Sequence, residues 1–419
     1  MEHNNFIEFY RSIKNELNPS ELMLLRPCSV RWSDYLKAKK DATVKRVVGK
    51  TEAQRDVRYF LDILKYFYSG YEYFNLQNVL TVVEEKIKAR IKNKLSNDKL
   101  MQIIYEEINP YINDGNLSMI AYKTYLNFYK GKVAYVADTV LEEDAGELVF
   151  LKKCGGFQER ERIKISALRK FLLPTLPDRK TRKKQYLIGV YTNHEVKSIE
   201  VLNRSIKLHR LKTDAIEMTS LGSGFEQEDI LYLAIHSFNL DLKSKIKFDR
   251  LGYKARGKRI VIFNFINNSG GNIEFIQSFF NGLLGENFET LKATIEETHL
   301  KKFKYLVTDD TPNKKYDMPI IFILTNKSVA SETEEAIEFI DHLPGTIIIG
   351  GATSGTSGCK DIDVFKLPNS GILVNIPQTK VYTKITPGVG FMPHFWLDTN
   401  SPEEAILKWI GKEKNEKNN

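Results

Sequence analysis

From about Asp229 onward, short and almost wholly apolar runs alternate with stretches of helical period, and few architectures satisfy that pattern. The first run is Arg259-Ile260-Val261-Ile262-Phe263-Asn264-Phe265, the second Ile320-Ile321-Phe322-Ile323-Leu324, the third Thr346-Ile347-Ile348-Ile349. Runs of this length and composition read as strands buried on both faces. An amphipathic helix is expected from about Ile273 to Leu284, and another opens at Ser331. Strands alternating with helices predict an α/β layer architecture for this part of the chain.

Two turns in this region carry chemistry. Ser331 stands at a strand-to-helix turn, where a hydroxyl is held in the open beside backbone N–H groups, as acyl-transfer enzymes require. The same Ser331-Glu332-Thr333-Glu334 also reads as a capping box, in which the serine only terminates the helix. The first strand ends in Asn267-Asn268-Ser269-Gly270-Gly271-Asn272, and paired glycines there let the backbone approach a ligand and expose N–H groups. The plain alternative is a tight turn of an α/β unit. A third segment, Gly350-Gly351-Ala352-Thr353-Ser354-Gly355, follows the third run.

Taken together, these segments resemble the serine peptidase family of tail-specific or C-terminal processing proteases, which includes the tricorn protease core. Asn264 to Gly271 matches its Asp-Leu-Arg-x-Asn-x-Gly-Gly strand end. Leu324-Thr325, Ser331 and Glu334-Glu335 match Leu-Thr-x-x-x-x-x-Ser-Ala-Ala-Glu-Glu, and Gly350 to Gly355 matches Gly-Glu-x-Thr-x-Gly. Phe365-Lys366-Leu367-Pro368-Asn369-Ser370-Gly371-Ile372 and Leu231 to Phe238 resemble two further segments, so order and spacing agree over roughly residues 229 to 397. The resemblance implies a crotonase-like spiral catalytic domain, Ser331 as nucleophile, and an oxyanion hole from N–H groups of Gly270 or Gly271 and of Glu332. It further implies a polypeptide substrate and no cofactor or metal. If it holds, Ser331 Oγ and the Gly270 or Gly271 amides should face one cavity.

Both base positions of that family are substituted. Asn116, in Asn113-Asp114-Gly115-Asn116, matches the histidine of Asp-Gly-His-Thr, and Thr356 matches the lysine of Thr-x-Gly-Lys. Neither side chain can take a proton from serine at neutral pH. His236 is the candidate base, carried toward the site by its strand; His394, Lys327 and Lys360 are further candidates, each with an ordinary packing or solvated-loop alternative. Two functions of different class follow: a serine peptidase acting on unstructured polypeptide, or a catalytically degenerate homologue that binds extended peptides without cleaving them.

The chain has 419 residues, enough for two or three domains. A helical N-terminal region is expected over 1–116, a small β-rich domain over 117–226, the crotonase-like domain over 227–411 and a disordered polar tail over 412–419. The formal net charge of +9 is spread along the chain. Its local runs, Lys86 to Lys94 and Arg179 to Lys184, lack the interleaved aromatics of base-stacking surfaces, so no specific nucleic acid is expected. Gly252-Tyr253-Lys254-Ala255-Arg256-Gly257-Lys258 has phosphate-loop spacing but Arg259 in place of the Ser or Thr, and reads as a basic loop. Cys28, Cys154 and Cys359 are too scattered for a disulfide framework or a metal site. Met1 to Pro19 lacks an apolar leader and no run is long enough to span a bilayer, so a cytoplasmic protein is expected. Oligomeric state is not legible.

Overall fold

The computed structural model describes residues 47–121, 124–216, 224–238, 242–285, 293–296, 305–306, 318–341, 343, 345–382 and 385–411. The leader reading at Met1 to Pro19, Cys28 and the polar tail all lie outside them. The result is a mixed α/β protein in two compact units, one of residues 1–130, 291–309 and 356–388, the other of residues 131–290, 310–355 and 389–419. Among the described residues no helix is long and apolar enough to cross a membrane.

In the first unit, the helices Lys50–Phe67, Leu80–Arg90 and Asn97–Ile108 accompany an antiparallel sheet. Its strand order is Tyr305–Leu306, Ala293–Glu296, Leu373–Tyr382, Asp114–Ile120 and Tyr125–Phe128, with Cys359–Lys366 also pairing Leu373–Tyr382. Residue 116 therefore lies inside a strand. Phe60, Leu64, Ile104, Leu117, Phe365 and Ile376 share one core. Asp56, fully buried on the helix Lys50–Phe67, accepts from the Asn369 and Ser370 N–H groups at 2.9 and 2.6 Å and from Asn369 Nδ2 at 2.8 Å. That carboxylate fixes Leu367-Pro368-Asn369-Ser370-Gly371 as the turn of a hairpin.

A buried polar cluster ties the same unit together. The Tyr68 hydroxyl donates to Asp114 Oδ2 at 2.8 Å, and the Asn116 N–H donates to Asp114 Oδ1 at 2.8 Å. Burial pushes the Asp114 carboxyl up to about 6 from 3.8, against the lowering effect of these bonds. A raised folded-state value means that the protonated form is favoured by folding. Its stabilisation is full below about pH 4 and is lost as pH rises through about 6. The rise corresponds to about 3 kcal/mol. Urea melts from pH about 4 to about 8 should show the wild type losing that much more stability than Asp114→Asn; parallel pH profiles would remove Asp114 as the cause.

The second unit holds a two-stranded sheet, Ser198–Val201 with Arg204–Lys207, and two large ones. One is antiparallel, ordered Arg162–Lys164, Glu147–Phe150, Val133–Asp144, Gln185–Thr192 and Leu172–Thr175, around Leu141, Phe150 and Ile188. The other is ordered Gly224–Glu226, Ile230–Ala234, Ile260–Asn264, Ile320–Thr325, Thr346–Gly350 and Phe395–Trp396. Its strands are parallel from Ile230–Ala234 onward, with one antiparallel edge. The apolar runs thus become neighbouring central strands, since their side chains must be buried on both faces. Of the segment read as a basic loop, Gly252 to Ala255 is instead the end of the helix Leu242–Ala255, and Arg256 to Lys258 form the turn that leaves it. A Cβ on Gly252 would stand 1.8 Å from Phe279 O, so the glycine serves close packing on the helix Glu274–Leu284.

Candidate active site

In an open parallel sheet, ligands bind beyond the carboxyl ends of the strands, because the loops that leave them converge there. Four such loops belong to the second unit: 235–238, 265–273, 326–331 and 351–355. Asn268 joins three of them. It is fully buried, and its Oδ1 accepts from the Gly270 N–H at 3.0 Å and from Thr333 Oγ1 at 2.8 Å. Its Nδ2 donates to Ile235 O at 2.9 Å, and its main-chain oxygen accepts from the Ala330 N–H at 3.1 Å.

The glycine turn and the serine are thereby brought together. Gly270 has φ +114°, and a Cβ built on it would stand 3.0 Å from Ser331 Cβ and 2.9 Å from Glu332 Oε2. Gly271 has φ 132°. The Gly270 N–H is taken by Asn268, so it is not a free donor. Among the described residues, the N–H groups of Gly271 and Glu332 have no acceptor.

The backbone of Ser331 is not that of an ordinary helix cap. A capping residue has extended backbone and accepts an amide with its side chain; Ser331 has φ 56°, a region that costs a non-glycine residue energy. Its main-chain oxygen takes the Glu334 N–H at 2.8 Å, and its hydroxyl donates to Glu332 Oε2 at 2.5 Å. The Glu334 side chain, in the position of a capping-box glutamate, reaches to the third loop. There its Oε1 accepts from Thr353 Oγ1 at 2.5 Å and from the Gly355 N–H at 2.6 Å.

The remaining candidates are placed as follows. His236 Nδ1 lies 2.7 Å from Ile266 O. A carbonyl only accepts, so Nδ1 carries the proton and Nε2 of the neutral ring is the accepting nitrogen. His236 stands two residues before Phe238, whose N–H donates to Gly270 O at 3.0 Å. His394 is committed elsewhere: its Nδ1 accepts the Ile348 N–H at 3.0 Å, beside the strand Thr346–Gly350. Lys327 is half-buried, not a solvated loop charge, and its Nζ donates to Thr353 O and Ser354 O at 3.1 and 3.3 Å. Burial pushes its ammonium down to about 8, opposed by the nearby Glu334 and Asp214 carboxylates.

Asn116, Thr356 and Lys360 belong to the first unit. The Asn116 Nδ2 donates to Thr356 O at 3.1 Å and to Cys359 O at 2.5 Å, so its amide braces the segment leading into the strand Cys359–Lys366. Lys360 lies within that strand, opposite Thr379. Asn268 is the residue to which sequence reasoning gave no role: its signals were its place beside the paired glycines and its match to the Asn of Asp-Leu-Arg-x-Asn-x-Gly-Gly.

No family profile and no curated protein sequence matches the chain. Among solved structures it is similar to mature CPAF, with 11% identity over 84% of this chain and 94% of that one and a TM-score of 0.45. It is also similar to the photosystem II D1 C-terminal processing protease, with 12% identity over 83% and 93% of the two chains and a TM-score of 0.40. The tricorn protease is a third, with 11% identity over 83% of this chain and 34% of that one and a TM-score of 0.37. At these identities and scores the likenesses assign the chain no activity.

Proposed function

We propose that the protein is a serine peptidase of the tail-specific, C-terminal processing type, with a crotonase-like catalytic domain, acting on unstructured polypeptide. One observation carries this reading: Ser331 is held at φ 56° against Gly270, next to two N–H groups, of Gly271 and Glu332, that have no acceptor among the described residues. The Ser331 oxygen attacks a peptide carbonyl, the carbonyl oxygen gains negative charge, and the two N–H groups stabilise it. Departure of the amine leaves an acyl group on Ser331, which water then removes. His236, with its ring oriented by Ile266 O, is the base that the sequence suggests.

The test is cleavage of an unfolded test protein by wild type and Ser331→Ala. Cleavage is expected from the wild type and should fall to background in the variant. A folded wild type that binds the polypeptide without cutting it would establish the degenerate, peptide-binding alternative.

A further inference from the structure

We infer that Glu332, the residue after the nucleophile, is the group that takes the Ser331 proton; this rests on the peptidase reading and completes it. A serine needs a neighbour already placed to receive its proton, and distance decides before basicity does. The Ser331 hydroxyl donates to Glu332 Oε2 at 2.5 Å, within the range of a hydroxyl bonded to an ionised carboxylate. The absence of a side chain on Gly270 makes the room, because a Cβ there would stand 2.9 Å from the same oxygen. Two other charged side chains of this loop cluster have different work: Glu334 holds Thr353 and Gly355, and Lys327 is bonded to two carbonyls. His236, whose Nδ1–H is tied to Ile266 O and whose Nε2 can accept, is the rival base.

The step balances without any added reagent. As the Ser331 oxygen bonds to the carbonyl carbon, its proton passes to Glu332 Oε2 and the π pair of the carbonyl moves onto oxygen. The protonated carboxyl then gives that proton to the peptide nitrogen as the carbon–nitrogen bond breaks. Glu332 would thus contribute twice, with its carboxylate as base and with its own N–H as oxyanion donor.

The experiment measures the rate at which a fluorophosphonate labels Ser331 in wild type, Glu332→Gln, His236→Gln and Ser331→Ala. The amide of Glu332→Gln keeps the shape but cannot take a proton. Its labelling rate is expected to fall by about a hundredfold to ten-thousandfold, the usual contribution of a general base. Should Glu332→Gln fail to fold, as seen in a thermal melt, Glu332→Ala gives the same readout. Labelling of Glu332→Gln at or above the wild-type rate, or a comparable loss only in His236→Gln, overturns the Glu332 assignment and leaves the peptidase reading standing. A folded wild type that labels no faster than Ser331→Ala overturns both.

Discussion

Gly270→Ala should slow reaction of Ser331 with a fluorophosphonate by about a hundredfold or more while leaving the protein folded. The backbone of Gly270 sits at φ +114°, outside the regions open to alanine, and its missing Cβ faces Ser331 Cβ at 3.0 Å and Glu332 Oε2 at 2.9 Å. The carboxylate end can swing away, but Ser331 Cβ can yield only if the helix start moves. Strain of this kind costs about 1–3 kcal/mol. A displacement of about 1 Å between a nucleophile and the donors that serve it can cost about a hundredfold in rate. Labelling rate and melting temperature, measured on one preparation, separate the two effects. A Gly270→Ala protein that labels at the wild-type rate would show that this contact does not position the serine.

Glu334→Ala is the substitution expected to cost most stability. The side chain is fully buried and joins the helix Glu332–Asp341 to the third loop through Thr353 Oγ1 and the Gly355 N–H. Removing it leaves that buried N–H without its acceptor, opens a cavity and strips Lys327 of an opposing charge. Loss of one partner from a buried charged set costs about 3–5 kcal/mol. Glu334→Gln keeps one acceptor and should cost less. Urea denaturation of both variants checks this, and a change below about 1 kcal/mol in Glu334→Ala would contradict the bridging role.

The layered part of the fold was readable because its signal is local. Ile260–Asn264, Ile320–Thr325 and Thr346–Gly350 declare themselves by unbroken apolar composition, which a strand buried on both faces demands. The last helical turn, Gly252 to Ala255, reads as loop because its glycine and exposed lysine resemble one, whereas the glycine answers to Phe279 on another helix. Site contacts are less visible for the same reason. Asp56 meets Asn369 across 313 residues, and Asn268 acts through three segments that only folding brings together. Ser331 was legible as a residue in a special place; that Glu334 would reach Thr353 and Gly355 in the third loop was not, since nothing in its spacing signals those partners. Asn116 was legible only through the string around it, as a substituted base position; the bonds of its amide to Thr356 and Cys359 had no local signal.

The central claim is that Ser331 is an activated nucleophile, and it is tested most directly by mass spectrometry of the folded wild-type protein after exposure to a fluorophosphonate. The account predicts one adduct, on the peptide containing Ser331, absent from the Ser331→Ala protein. An unmodified Ser331 in folded protein at saturating probe, or labelling that persists unchanged in Ser331→Ala, would contradict it.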